Sequence, residues 1–440
     1  MCALAELFQR RGVRVTGCDA SDEGGEDLRR LGISVVHGHD PAHVATARAV
    51  VVTSAVNKDH AELARARVLG LPVIRRAEAL GEATSGDGRQ LVAVAGTHGK
   101  STTTAMVAEA FVAARLDPTA LVGARVAKWN GNLRCGGDRF YVAEADEYDR
   151  SFLALSPTVA VVTNVEADHL DVYADLEDIR RAFAQFVHGA RHIVLCADDP
   201  GATSLSTPAS SAVIRYGMQS PHARLRARDV QSAPTGTSFG VEFDGDRLGD
   251  VRLRVPGVHN VLNALAAIGA GLALGAPFDR LAAGLAEFAG TARRFEHLGD
   301  AGGVTVIDDY AHHPTEIHAT LGAARACFPG RRLVVAFQPH LFSRTRDFAT
   351  EFAGALSGSD AVFLTEIYAS REQPIAGVTA DLIANAFGKE RAKLTWRGER
   401  SDLANTLAAR VRRGDVVITM GAGDITKTGP ELLARLRSST

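Results

Sequence analysis

The stretch "VAVAGTHGKSTTTAMVAEAF", residues 92–111, decides the fold. An apolar run, Val92 to Ala95, leads into Gly96-Thr97-His98-Gly99-Lys100-Ser101-Thr102, and a helix-forming pattern follows. A buried strand, a glycine turn and a helix open a βα unit. The glycines let backbone N–H groups wrap an anion, and the helix N-terminus adds partial positive charge. Lys100 stands where an ammonium reaches the outer phosphates of a nucleotide, and Ser101 where a hydroxyl reaches a divalent cation. The loop is a shortened phosphate loop, with two residues between its glycines in place of the usual four. The bland alternative is a tight strand-to-helix turn with incidental polar residues.

Working outward, apolar β-branched runs alternate with amphipathic ones from end to end, which predicts an α/β protein with mainly parallel strands. "VRVTGCD" and "AVVVTSA" read as strands with the helix "DLRRLG" between them. "GEATSGDGRQ" (81–90) reads as a linker and "SLSTPASSA" (204–212) as a surface loop. Further strands are expected at "RFYVAEAD", "TVAVVTNV", "RHIVLCAD", "GVTVIDDY", "RRLVVAFQPH", "AVFLTEIYA" and "DVVITMGAGD", with a helix at "VHNVLNALAAIGAGLAL". Three α/β domains follow, at 1–87, 88–293 and 294–440.

In the 440 residues, 46% are hydrophobic and 23% charged, with a net charge of −2, which points away from nucleic acid or a membrane surface as partner. No apolar run reaches the ~18 residues of a membrane span. Five scattered cysteines fit no metal spacing and read as free thiols, so a cytoplasmic protein is expected.

Carboxylates suited to a metal follow two strands. "YVAEADEYDRS" supplies Glu144, Asp146, Glu147 and Asp149, and "TNVEADHLDVY" supplies Glu166, Asp168, His169 and Asp171. Acids at strand C-termini converge on the ligand crevice of an α/β sheet. Either cluster alone could be a solvated loop; beside a phosphate loop the pair suggests two Mg²⁺ sites. In the third block, "IDDYAHHPTEI" places Asp308, Asp309, Tyr310, His312, His313 and Glu316 after a strand, and "FQPHLFSRTRDF" adds His340, Arg344 and Arg346. Arginines there suit a carboxylate or phosphate; a surface salt-bridge network is the alternative. At the N-terminus, Asp19 closes a strand where a dinucleotide-type unit holds a ribose.

GTHGKSTTT, AEADEYDRSF, TNVEADHLD, HNVLNALAA, ARRFE, DDYAHHPTE, QPHLFSRTRD and MGAGDI, in this order, resemble the Mur ligases. Within that family they are most similar to the branch that joins L-alanine to UDP-N-acetylmuramate in peptidoglycan precursor synthesis. The rival branch recycles a tripeptide onto the same sugar nucleotide, and "QPHLFSRTRD" (338–347) separates the two. A degenerate, non-catalytic nucleotide-binding homologue is the alternative of a different class. The resemblance implies ATP and Mg²⁺, with Mn²⁺ as a substitute, phosphorylation of the muramoyl carboxylate, and attack by alanine on the acyl phosphate. It implies that the three domains are Rossmann-like, a central phosphate-loop ATPase, and Rossmann-like again, with small-molecule partners only, in a monomer or weak homodimer.

Carried over by motif, Gly96, Thr97, His98, Gly99, Lys100, Ser101 and Thr102 form the ATP loop, with Ser101 and Glu144 on a first metal ion and His169 on a second. His259, Asn260 and Asn263 approach the adenine, and Arg293 or Arg294 the nucleotide. Asp19, Asn132 and His169 face the sugar-nucleotide substrate. Tyr310, His312, His340 and Arg344 line the alanine and acyl-phosphate pocket, with Lys100, His312 and Arg344 catalytic.

The chain departs from its relatives in several places. Tyr148 replaces a small residue at what is expected to be an outer position with no bearing on the metal site. Leu341 stands where arginine is common, leaving carboxylate recognition to Arg344. No lysine lies between Lys128 and Lys389, so the carbamoylated lysine of several sister ligases has no counterpart. The family's G-x-G-G-x-G-M loop precedes the first helix, and Met1 coincides with its methionine, so the natural start is expected upstream.

Overall fold

The computed structural model describes residues 1–20, 25–233, 235–370 and 372–438. They form two compact units: the first comprises Met1–Asp229, Phe239–Arg252 and Leu262–Phe288, the second Val230–Ser238, Leu253–Val261 and Ala289–Thr440.

The first unit opens with the helix Cys2–Arg10 and then β1 (Thr16–Asp19), β2 (Ser34–His37), β3 (Val50–Val52) and β4 (Val73–Arg75). These strands make two separate parallel pairs, β1 with β2 and β3 with β4. The helix Arg76–Thr84 follows directly, so the linker expected at 81–90 begins only after Thr84. The Glu78 carboxylate accepts from Arg75 N at 2.8 Å and starts the helix. Gly81 belongs inside it because a side chain there would strike the Ala154 carbonyl.

The large sheet comes next, with β5 (Gln90–Ala95), β6 (Thr119–Val126), β7 (Gly131–Arg134), β8 (Phe140–Glu144), β9 (Val159–Val162) and β10 (His192–Cys196). It continues through β11 (Ala212–Gly217), β12 (Leu225–Ala233), β13 (Gly236–Phe243) and β14 (Asp246–Leu253). Its order is β14-β13-β12-β11-β10-β9-β5-β8-β6-β7. β5 runs parallel to both neighbours, with Val94 beside Glu144 of β8 and Ala95 beside Val162 of β9. Leu91 to Ala95 are buried on both faces, as a central parallel strand requires. This order brings the chain leaving β8 and the chain leaving β9 to either side of the loop leaving β5.

The second unit holds β15 (Glu296–Ala301), β16 (Val304–Asp309), β17 (Leu333–Phe337), β18 (Ala361–Thr365), β19 (Leu394–Gly398) and β20 (Val416–Met420), in the order β15-β16-β20-β17-β18-β19. Only β15 is antiparallel to its neighbour. Side chains along β17 alternate between two cores: Leu333, Val335 and Phe337 enter one, Val334 and Ala336 the other. Helices therefore cover both faces, and the C-terminal ends of β16, β17 and β20 lie side by side. Among the described residues no helix is long and apolar enough to cross a membrane.

Candidate active site

The phosphate loop is held from behind. Gly96 has φ 143°, and a side chain there would collide with the Thr163 hydroxyl. Asn164, two residues past β9, accepts from His98 N at 2.7 Å and donates from Nδ2 to the His98 carbonyl at 3.1 Å. Glu166 N donates to Thr97 Oγ1 at 2.9 Å. Gly99 caps the helix Lys100–Ala113 with φ 80°, and a Cβ there would lie 2.7 Å from Asn263 Oδ1. That oxygen accepts from Thr103 Oγ1 at 3.0 Å, so Asn263 packs on the loop as well as on its helix.

The loop's polar side chains meet the acids expected of it. Lys100 Nζ donates to the Gly96 and Thr97 carbonyls at 2.6 and 3.1 Å and pairs with Glu147 at 2.8 Å. Burial disfavours both charges, but each outweighs that for the other. Glu147 and Asp146 hold the Lys100 ammonium above its usual range, and Lys100 with His169 holds Glu147 below its own. Ser101 Oγ donates to the two Glu144 oxygens at 3.0 and 2.9 Å, and Gly123 N donates to Glu144 Oε2 at 2.7 Å. A Cβ on Gly123 would lie 2.9 Å from that oxygen.

Two hard oxygen donors, Ser101 and Glu144, on a strand end and a helix start suit Mg²⁺. His169 suits a second cation: its Nε2 lies 3.5 Å from Glu147 and 3.8 Å from Asp168, and its buried Nδ1 has no hydrogen-bond partner among the described residues. Tyr148, expected to lie outside, packs edge-on against the His169 ring at 5.1 Å and so fixes its plane. The turn after Glu147 carries Asp149 and Arg150 at positive φ and folds the chain back, which sequence spacing alone does not reveal. Asn132 is half-buried on β7 and Asp19 is exposed at the end of β1.

In the second unit the predicted residues gather at the ends of β16 and β17. Asp309 accepts from Ala311 N and Phe295 N at 2.7 and 2.8 Å; burial lifts its pKa to about 6 against the pull of Arg294. His312 Nδ1 donates to the Tyr310 carbonyl at 2.9 Å and lies 3.1 Å from Glu316, which also accepts from His312 N. Arg293 is bound to Asp308 and the Gly421 carbonyl at 3.0 and 2.6 Å, whereas Arg294 reaches Glu316 at 3.4 Å; both guanidinium groups lie over Tyr310. Arg344 is buried and meets His340 Nδ1 at 3.3 Å, and the His340 ring stacks with Tyr368 and abuts His312 at 5.8 Å. Leu341, at φ 70°, turns into the core and offers no substitute for a cation. Asn260 Nδ2 donates to the Pro256 carbonyl at 2.7 Å, and burial beside Arg294 holds the His259 pKa at about 4.

Three families of sequence match consecutive parts of the chain. Residues 1–87 match the Mur ligase family catalytic domain, 94–271 the Mur ligase middle domain, and 293–423 the Mur ligase glutamate ligase domain. The chain is 47% identical over 445 residues to the UDP-N-acetylmuramate–L-alanine ligase of Acidothermus cellulolyticus, covering 99% of this chain and 93% of that protein. The protein of the same name from Geobacter sp. is 42% identical, with 100% and 96% covered. The chain belongs to the Mur ligase family.

Its fold matches the crystal structure of the Thermotoga maritima UDP-N-acetylmuramate-alanine ligase with a TM-score of 0.85 at 30% identity, covering 100% of this chain and 97% of that one. The murein peptide ligase of Psychrobacter arcticus matches with 0.73 at 25%, covering 99% and 96%. The α/β architecture is thus the three-domain Mur ligase fold. Sequence reasoning named Glu147 among the acids without assigning it to the site, and passed over Asn164. Both follow strand ends that flank β5, the signal that points to them once strand order is known.

Proposed function

We propose that this Mur ligase couples ATP to the joining of L-alanine and UDP-N-acetylmuramate, forming an amide through an acyl phosphate. The observation that carries the reading is the triad of contacts at the end of β5: Lys100 on Glu147, Ser101 on Glu144, and Asn164 bracing His98. The backbone of Gly96 to Thr102 cradles the phosphates of ATP, with Asn260, Asn263 and Arg294 toward the nucleotide. Asp19 and Asn132 serve the sugar nucleotide. Ser101 and Glu144 would hold one Mg²⁺ and His169 another. When bound, these ions offset the repulsion between a carboxylate and a triphosphate.

The muramoyl carboxylate oxygen attacks the γ-phosphorus, the bond to the β-phosphate oxygen breaks, and ADP leaves. Lys100 moves from Glu147 toward the transferring group and stabilises its charge. The alanine amine then attacks the acyl carbon, and phosphate leaves as the amide forms. Because His312 Nδ1 donates to the Tyr310 carbonyl, the lone pair of the neutral tautomer sits on Nε2, where it can accept the amine proton. Arg344, set by His340, takes the alanine carboxylate, with Tyr310 beside it. Free ATP and a soluble sugar nucleotide as substrates place this chemistry in the cytoplasm, in a monomer or weak homodimer organised as domains 1–87, 88–293 and 294–440.

The test is phosphate release with ATP, UDP-N-acetylmuramate and alanine, with hydroxylamine to trap the acyl phosphate. Release that needs all three substrates, and a hydroxamate when alanine is omitted, supports the reading. Turnover only with a tripeptide in place of alanine would assign the chain to the recycling branch. No turnover with either, but intact ATP binding, would make it a non-catalytic homologue.

A further inference from the structure

A second cluster of metal-type ligands lies in the first unit, on residues to which the ligase reading gives no role, although Asp19 next to Cys18 is assigned to the sugar nucleotide. Cys18 is on β1, His39 follows β2, His60 caps the helix Ala61–Val68, and Glu62 lies in that helix's first turn. Glu62 is buried at 7% exposure, yet its carboxylate faces a thiol and imidazoles. Cys18 Sγ is 3.1 Å from each Glu62 oxygen and 3.3 Å from His39 Nδ1. His39 Nδ1 and His60 Nδ1 lie 3.6 and 3.9 Å from Glu62 Oε2. His60 Nδ1 is buried and has no hydrogen-bond partner among the described residues.

Those separations have a geometric meaning. Ligands held tetrahedrally at ~2.0–2.3 Å from one ion are about 3.5 Å from each other, and the three distances among Cys18, His39 and Glu62, 3.1, 3.3 and 3.6 Å, scatter around that edge length, with the His60 ring packed edge-on against His39 beside them. The donor set, one sulfur, one imidazole nitrogen and a carboxylate oxygen, suits Zn²⁺ and not Mg²⁺ or Ca²⁺. An outer partner is also in place: His43 Nδ1 contacts Glu62 Oε1 at 2.8 Å, and Asp40 N donates to the same oxygen at 3.2 Å. Without a cation, thiolate and carboxylate cannot both be charged so close together. Burial and Glu62 push the Cys18 thiol up to about 12.

We propose that Cys18, His39 and Glu62 form a zinc site, its fourth position left to water, that clamps the end of β1 to the helix Ala61–Val68. On binding, the Cys18 thiol gives up its proton to solvent and the ion takes its place between sulfur and carboxylate.

The test uses the full chain stripped of metal and titrated with CoCl₂, then ZnCl₂. One equivalent of cobalt should give a thiolate-to-cobalt charge-transfer band that zinc abolishes; cation sites lined by Ser101, Glu144 and His169 hold no thiol and cannot give it. Cys18→Ser should remove the band, and His39→Ala should weaken zinc binding by more than the ~10–100-fold typical of losing an outer partner. Cys135→Ser, at an exposed thiol elsewhere, should change neither. Zinc should raise the melting temperature of the unsubstituted chain but not of Cys18→Ser. Absence of the band in the unsubstituted chain overturns the proposal, whatever the folding of the variants. So does a band that survives Cys18→Ser or is lost with Cys135→Ser.

Discussion

Lys100 Nζ and Glu147 Oε2 lie 2.8 Å apart, and both side chains are largely buried at the mouth of the phosphate loop. A buried pair of this kind holds the ammonium ready while no phosphate is bound, and it must open when ATP arrives. Lys100→Ala removes the charge that meets the transferring phosphoryl group, and ligation should fall by at least about 10³-fold. Glu147→Gln keeps the lysine but loosens its hold, and kcat should drop by about 10–100-fold with a smaller change in ATP KM. Steady-state kinetics on both variants checks this; a near-normal Lys100→Ala would remove the loop from the chemistry.

The same pair has a pH signature. Glu147 is held below its usual 4.5, so its share of stability is present above that value and lost as pH falls through the lowered one. Lys100 is held above its usual 10.5, so its share is present below that value and lost only as pH rises further. Across neutral pH the pair is intact, and ATP affinity measured by calorimetry should vary little between pH 6 and 9 on account of these two groups.

Glu144 is oriented by Ser101 Oγ and by Gly123 N, and the second of these leaves no room for a side chain. Gly123→Ala should displace the carboxylate by a few tenths of an ångström and raise the Mg²⁺ concentration for half-maximal activity several-fold, as Ser101→Ala should by loss of a ligand. At saturating Mg²⁺ the glycine variant should recover more of its activity than the serine variant. A magnesium titration of the two decides; equal requirements in variant and parent would take Glu144 off the metal.

The loop at 96–102 was legible because glycine, lysine and hydroxyl stand at fixed offsets after an apolar strand, a pattern with a mechanism behind it. What could not be read was which strands flank it, since nothing local in "FYVAE" or "VAVV" states that they pair with β5. Asn164 and Glu147 were accordingly missed as members of the site, although each is next to a motif. Tyr148 was misjudged for a related reason. The chain turns back through two residues at positive φ, Asp149 and Arg150, and brings the ring onto His169. The end of the helix at Thr84 was hidden by a glycine that the packing of Ala154 demands.

Arg344 is 5% exposed and its guanidinium lies against His340, a setting in which lysine could not make the same planar contact. Arg344→Lys and Arg344→Ala should both raise the alanine KM, the alanine variant by at least about tenfold, while ATP affinity stays within about twofold. Collapse of nucleotide affinity in either variant would move Arg344 to the ATP site. Leu341→Arg should not restore alanine binding to Arg344→Ala, because the 341 side chain turns into the core.

His259 gives the clearest acid signature. It is half-buried beside Arg294, and desolvation first, then that charge, holds its pKa at about 4 against the usual 6.5. Its folded-state pKa is depressed, so the unfolded chain takes up a proton as pH falls through 6.5 while the folded chain does not until about 4. The stability that neutral His259 brings is therefore complete above pH 6.5 and is progressively lost down to about 4. A difference of about 2.5 pH units corresponds to roughly 3 kcal/mol at the acid end. His259→Gln, which cannot titrate, should flatten the fall in unfolding free energy across this window by a comparable amount, even if it lowers stability at pH 7.5. Urea unfolding at half-unit steps from pH 7.5 to 4.5 measures both slopes. Equal slopes would mean that His259 is protonated in the folded chain, and that the Arg294 charge beside it is offset by a neighbouring acid such as Glu316.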